Sequence, residues 1–335
     1  MKKTRKLRLV RGSEVSSFLS DRQTWKYRWV DRLVKNTPDG KLFFGNMFHK
    51  HMEHLYGMQL PTKAMHATED WIQEQDTSAM DPVFYSEMMD LFESVVLNYE
   101  DYYFQKDMQT MEVISTEFRF AIPMYNENEA LSYAYEGTID LLYYENNELK
   151  FKDYKSVSSV DRYVSNAILD RQISRYWWAI TALCNGYGYI WTEFTDFNEE
   201  EPREGAMWMH VTKHPIFERL RHFPNGPSEF IYDIVKKEAP HPPKLLKKGG
   251  LSKAKDQNTT VEMYMQAIQD NGFNPADYTD ILEHLEQQGN KFLRRLPVRR
   301  NSSECQAAME DFHKAAMEMF KVREEVESGD LSRIY

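Results

Sequence analysis

The runs LSYAYEGTIDLLYY (131–144) and ELKFKDYKSV (148–157) are separated by Glu145 and the pair Asn146-Asn147. Both runs are rich in aromatic and other β-favouring residues, and the asparagines mark a hairpin turn. A β-hairpin is expected, with an acid in each strand. Asp140 interrupts a hydrophobic run. A carboxylate there is costly unless a counter-charge or cation meets it, or a strand end leaves it solvated. Asp153 and Lys155 are two residues apart, so on a strand they share a face, with the Tyr154 carbonyl between them. Two carboxylates and a carbonyl oxygen suit a hard cation such as Mg²⁺ or Mn²⁺. An adjacent lysine can hold the attacking water or stabilise charge on a phosphate. Read alone, Asp153-Tyr154-Lys155 is equally a surface ion pair.

Helices are expected before the hairpin. Ser13 is a good N-cap for a helix over 13–35, a second helix follows Gly45, and a long amphipathic helix starts at Pro82. MEVISTEFRFAI (111–122) reads as a strand preceding the hairpin. After it, 160–186 reads as a helix and 187–197 and 205–215 as two more strands. This order implies an α/β fold with a mixed sheet. The Pro-, Gly- and Lys-rich segment from Glu238 to Thr260 reads as loop, and the remainder as helices over 261–272, 277–295 and 303–328.

The chain has 335 residues and only two cysteines, Cys184 and Cys305. That excludes a zinc ribbon or an iron–sulfur cluster held by four cysteines of one chain, and favours a reducing cytoplasm. The basic start lacks a following apolar run, which argues against a signal peptide, and no stretch is long and apolar enough to span a membrane. The net charge of −10 speaks mildly against nucleic acid, but the cations are clustered. Lys2, Lys3, Arg5, Lys6, Arg8 and Arg11 crowd the start. Lys244, Lys247, Lys248, Lys253 and Lys255 share one segment, and Lys291, Arg294, Arg295, Arg299 and Arg300 another. Each cluster is either solvated surface or a phosphate contact.

Further polar residues fall beside these elements. His49 and Glu53 are i and i+4 on the second helix and share a face. His51 and His54 make a structural or surface histidine cluster the alternative to metal binding. Glu117 lies on the strand before the hairpin. Gln172 and Tyr176 are i and i+4 on the helix after it. Trp177 and Trp178 either pack in the core or stack on unpaired bases.

In chain order, Gly45-x-x-x-His49, Glu117, Gly137-x-Ile139-Asp140, Asp153-x-Lys155 and Gln172-x-x-x-Tyr176 resemble the PD-(D/E)XK nuclease superfamily, in particular its RecB-like branch with phage-type exonucleases. The likeness covers roughly residues 13–211, and more loosely the tail. It implies a restriction-endonuclease-like α/β core with a mixed central sheet flanked by helices, N-terminal helices and a helical C-terminal extension. The corresponding division is a core over 1–211, a basic linker over 212–258 and the extension over 259–335. It further implies a DNA nuclease, an exonuclease of recombination or replication, with an idle DNA-binding or assembly relative as the alternative.

In that reading His49, Asp140, Asp153 and the Tyr154 carbonyl hold Mg²⁺ or Mn²⁺, and Lys155 is the catalytic lysine. Gln172 and Tyr176 position the strand or the lysine, Glu117 supports the site or binds metal indirectly, and Glu53 lies behind it or on the helix face. Lys244, Lys247, Lys248, Lys253, Lys255, Arg294 and Arg295 would contact DNA. Partners would be DNA and a single-strand annealing or recombination protein, in the cytoplasm of a host cell if the protein is phage-encoded. The four cysteines that many relatives use for an iron–sulfur cluster are missing, and Ile139 stands where the family name has proline.

Overall fold

A computed structural model describes residues 8–33, 40–126, 131–167, 169–196 and 203–334. Lys2, Lys3, Arg5 and Lys6 of the first basic cluster lie outside them. The chain opens with β1 (Leu9–Arg11), α1 (Gly12–Ser20) and α2 (Arg22–Trp25), then α3 (Gly40–Met58), α4 (Pro61–Gln73), α5 (Pro82–Tyr99) and α6 (Gln105–Thr110). Next come β2 (Met111–Tyr125), β3 (Leu131–Glu145), β4 (Glu148–Val157), α7 (Val160–Ala167), α8 (Arg171–Cys184), β5 (Tyr189–Asp196) and β6 (Arg203–His210). The chain closes with α9 (Phe217–Leu220), β7 (Glu229–Lys236), α10 (Val261–Asp270), α11 (Thr279–Gln288), β8 (Leu293–Val298) and α12 (Ser302–Glu327).

Local chemistry fixes several ends. Asp81 accepts the Phe84 N–H at 2.9 Å ahead of Pro82, which starts α5 without a lost donor. Asp170 does the same for Gln172 at 2.8 Å and starts α8. Asn301 and Glu304 exchange bonds of 2.9 and 3.0 Å in a capping box at α12. Asn146 and Asn147 take φ of 54° and 62° and close the β3–β4 hairpin as expected.

The sheet runs β6-β5-β2-β3-β4-β7-β8, with β1 added parallel to β3. It is mixed: β4 and β7 are parallel, whereas β2, β3 and β4 are successive antiparallel neighbours. One face packs on α1, α8 and α12 through residues such as Phe18, Ile180, Leu183, Phe312 and Met319. The other packs on α3 and α5 through Phe48, Met52, Phe92 and Val96. This is the helix-flanked mixed sheet that the resemblance implied.

The sheet splits at one place. β3 pairs with β4 only between Leu141↔Lys152 and Glu145↔Glu148. Beyond Leu141, β3 turns to β1, whose Leu9–Arg11 pair with Ala134–Glu136. Beyond Lys152, β4 stays with β7 as far as Val157↔Lys236. Asp140 therefore stands on one arm of a fork, with Asp153 and Lys155 on the other.

Five expectations about elements change. The second helix starts at Gly40 and runs through Gly45 rather than following it. The helix expected from Ser13 starts at Gly12 with Arg11 as its cap, and it breaks at Asp21, whose carboxylate caps α2. The helix expected over 160–186 is two helices, because Asp170 starts a new one. The expected linker contains β7, whose run EFIYDIVK is buried between β4 and β8; the Pro- and Lys-rich sequence after it obscured an ordinary buried strand. The helix expected over 277–295 ends at Gln288, where Gly289 takes φ 67°, and Leu293 onward forms β8.

Candidate metal and catalytic centre

His49, Glu117 and Asp140 come from α3, β2 and β3, and their ligand atoms all lie within 4.8 Å of one another. The His49 Nδ1 is 3.1 Å from Asp140 Oδ2. The same oxygen accepts the Tyr154 N–H at 2.7 Å, which ties the two arms of the fork together. Lys155 is ion-paired with Asp153 on the second arm. Glu53, one helical turn from His49, is held by Lys50 at 2.5 Å.

The backbone is special where the acids meet. By the pairs Thr116↔Leu141 and Phe118↔Ile139, Glu117 falls opposite Asp140. Glu117 has φ 45°, a left-handed conformation that side-chain-bearing residues rarely adopt within a strand. The facing of β3 also reverses here: Ile139 packs in the α8/α12 core, while Leu141, two residues on, packs in the α3/α5 core. A regular strand would put both on one side. The irregularity coincides with the paired carboxylates. Just before it, Gly137 admits no side chain, since a Cβ would lie 2.5 Å from Phe120 and 2.8 Å from Tyr176.

Burial and neighbouring charges set the protonation of these groups. Burial pushes Glu117 up to about 7, and the negative charges of Asp140 and Glu53 push in the same direction. Burial likewise raises Asp153 to about 6 against the pull of Lys155. Burial opposes a charged His49, but Asp140 outweighs it and raises the imidazole above its usual range. Burial also opposes ionised Asp140, yet His49 and Lys155 hold it below the usual carboxylate range. Burial opposes the Lys155 ammonium, but Asp153 and Asp140 keep it charged. One imidazole and two converging carboxylates, of which Asp140 is ionised and Glu117 holds its proton, are a donor set a hard divalent cation would satisfy.

A pH prediction follows from these directions. Raised His49, Glu117 and Asp153 all carry protons that a cation must displace, so affinity rises with pH. Mn²⁺ affinity is expected to climb at least about tenfold between about pH 5.5 and pH 8, with proton release. Without metal, a raised carboxyl stabilises the fold below its unfolded value and loses that contribution as pH rises through about 7 for Glu117. Glu117→Gln should therefore raise the melting temperature of metal-free protein at pH 8, by about 2 °C, while weakening Mn²⁺ binding. Calorimetry in two buffers and a thermal melt check both; pH-independent affinity with no proton release would refute the assignment.

Gln172 and Tyr176 do not join the cation donors. They line an adjacent cavity of about 270 Å³ with Arg11, Ser13, Glu136 and Arg175. Glu136 there is bound by Arg11 at 2.8 Å and by Arg119. Trp177 is buried, and Trp178 donates its indole N–H to Gln306 at 3.2 Å, so this pair joins α8 to α12. His51 is fully buried between Glu100, at 3.0 Å, and Thr68, and His54 bonds Thr68 at 3.1 Å; these histidines serve packing.

The basic residues divide. Lys244, Lys247, Lys248 and Lys255 are exposed. Lys253 is engaged, donating to the Asp277 carbonyl at 2.5 Å, and Arg294 pairs loosely with Asp161 at 3.6 Å. Arg295 corrects the expectation of a DNA contact. Its guanidinium grips Asp107 at 2.5 and 2.6 Å and Asp233 at 3.0 Å. Lys152 reaches the same acids at 3.1 and 3.3 Å, and Tyr99 donates to Asp233 at 2.8 Å. Sequence reading missed this cluster, because its members are brought together only by the packing of α5 and α6 on β4, β7 and β8. Asp233 alone carried a signal, as an acid inside the apolar run Phe230–Val235.

Among the described residues, no helix is long and apolar enough to cross a membrane. A family model of the PD-(D/E)XK nuclease superfamily matches residues 13–309. No curated protein matches the chain.

Proposed function

The chain belongs to the PD-(D/E)XK nuclease superfamily, and on that premise we propose that it is a divalent-metal-dependent deoxyribonuclease, an exonuclease of phage-type recombination or replication. The observation that carries this is the meeting of His49, Glu117 and Asp140 at the fork whose other arm bears Asp153 and Lys155. Mg²⁺ or Mn²⁺ bound by His49, Asp140, Asp153 and the Tyr154 carbonyl, with Glu117 as a further donor, would neutralise the phosphate and acidify a water. Asp153 holds Lys155, whose ammonium orients the attacking water and meets charge developing on the phosphate. Gln172 and Tyr176, beside Arg11 and Arg175, position the strand entering the cleft. Exposed lysines guide the backbone without reading sequence, so binding weakens with salt. The working partner would be a single-strand annealing or recombination protein in the host cytoplasm.

The test is one set of assays on linear and circular, single- and double-stranded DNA, with Mg²⁺, Mn²⁺ or EDTA. Linear DNA should be degraded from its ends, only with metal. Cleavage of closed circles would reject exonuclease action, and cleavage in EDTA would reject the metal.

A further inference from the structure

Between β7 and β8 the chain leaves the sheet and builds a small core of its own, with Leu251, Tyr264, Ile268, Tyr278, Ile281 and Leu285. This excursion springs from the catalytic end of the sheet. Lys236 pairs with Val157, two residues beyond Lys155, and the Lys237 N–H donates to the Val157 carbonyl at 2.7 Å. The Lys237 ammonium lies 5.2 Å from the ring of Phe44, next to Gly45 on α3.

The excursion begins with a turn of defined shape. Leu245 bridges to Leu251, the Leu246 N–H donates to Gly250 at 2.9 Å, and the Ser252 N–H to Lys244 at 2.8 Å. Gly249 and Gly250 take φ of 82° and 85°, which a reversal this tight requires. Leu251 is buried and donates its N–H to the Tyr278 hydroxyl at 3.0 Å, anchoring the turn to the small core. At the tip, however, Leu245 is 55% exposed and Leu246 43%. Lys244, Lys247 and Lys248 flank them in the sequence and are exposed, and among the described residues their ammonium groups make no hydrogen bond or ion pair. From Pro242 to Lys255 the sequence has five lysines and no acid.

A single exposed leucine needs no explanation, but two adjacent ones on a fixed turn, flanked in sequence by unpaired cations, do. The matching surface is strongly anionic outside and apolar at its edge. The end of a DNA duplex has that chemistry: phosphates flank a stacked, apolar terminal base pair. Apolar side chains inserted at base steps are a general means of unstacking DNA. We propose that Lys244–Leu251 is an end-opening wedge. Leu245 and Leu246 press on the terminal base pair and Lys244, Lys247 and Lys248 hold backbone phosphates, so that one strand is released toward the fork of β3 and β4. This rests on the nuclease reading above and adds to it a preference for duplex ends.

The test compares the full chain with its Leu245→Ser/Leu246→Ser variant, whose replaced side chains lie at the surface. The probes are a blunt duplex, the same duplex with a few unpaired terminal nucleotides, and the single strand. The variant should cleave the blunt duplex at least about tenfold more slowly, since the terminal step must then unstack unaided, and cleave the other two at the wild-type rate. In EDTA, 2-aminopurine at the terminal pair should brighten with wild-type protein and not with the variant. Equal loss on all three probes, no loss on the blunt duplex, or a wild type that ignores duplex DNA overturns the wedge. Loss of a dimer in the variant with unchanged DNA signals assigns the tip to a second copy and also overturns it. A wild type that cleaves none of the probes instead overturns the nuclease reading, and the 2-aminopurine signal still decides the wedge.

Discussion

Lys155→Ala lowers the rate of metal-dependent DNA cleavage by about 10²–10⁴-fold, the range for losing a positioned proton-transfer or charge-stabilising group, while the protein stays folded. The folding half of this expectation follows from the site. Lys155 makes its ion pair with Asp153 at the rim of the fork, and its side chain is 28% exposed. Truncation leaves Asp153 without a partner, but Asp153 already holds its proton up to about 6 and can take one up when the ammonium is gone. The chemical half follows from Asp140 and Asp153, which keep Lys155 charged across the working pH range. No other described ammonium shares their carboxylates. Asp153→Asn should remove both cleavage and tight Mn²⁺ binding, whereas Lys155→Ala should retain the metal. Single-turnover cleavage, calorimetry and circular dichroism separate the cases. Wild-type cleavage by Lys155→Ala would end the assignment of the catalytic lysine.

The parts of this site that were legible in the sequence are those that depend on near neighbours. The asparagine turn, the alternation that pairs Asp153 with Lys155 and the helical spacing of Gln172 and Tyr176 need only a few residues of context. What was hidden depends on pairings far apart in the chain. Glu117 is just another strand acid until register sets it opposite Asp140 and its left-handed backbone turns it to His49. β7 and β8 could not be recognised as neighbours, because the helices between them read as a tail. Arg295 looked like part of a surface cluster, because its partners Asp107 and Asp233 stand far away in sequence and meet it only through α6 and the pairing of β7 with β8. Composition marks where charge is dense, but only topology says which charges are already paired.

That buried cluster carries the largest expected effect on stability. Lys152→Met should destabilise the protein by about 3–5 kcal/mol, the usual cost of leaving one partner of a buried ion pair uncompensated. Lys152 and Asp233 are fully buried and Asp107 is 3% exposed, so solvent cannot take over the lost charge. Burial favours a neutral Lys152, and Arg295 repels it, yet two carboxylates face it; removing it leaves both on one guanidinium. The Lys152→Met/Asp233→Asn pair restores the balance, with Arg295 still holding Asp107 through two bonds. It should recover more than half of the loss, so the two single losses do not add. Urea midpoints for the two singles and the double measure it, and strictly additive losses would show that the four charges do not act as a unit. The same strand separates this role from chemistry. Lys152 and Tyr154 lie in the layer beneath α3, whereas Asp153 and Lys155 occupy the alternate positions. Below its melting range the double variant should thus cleave DNA within about tenfold of wild type, which Lys155→Ala cannot. A loss as deep as that of Lys155→Ala would mean that the cluster also sets the position of the catalytic pair.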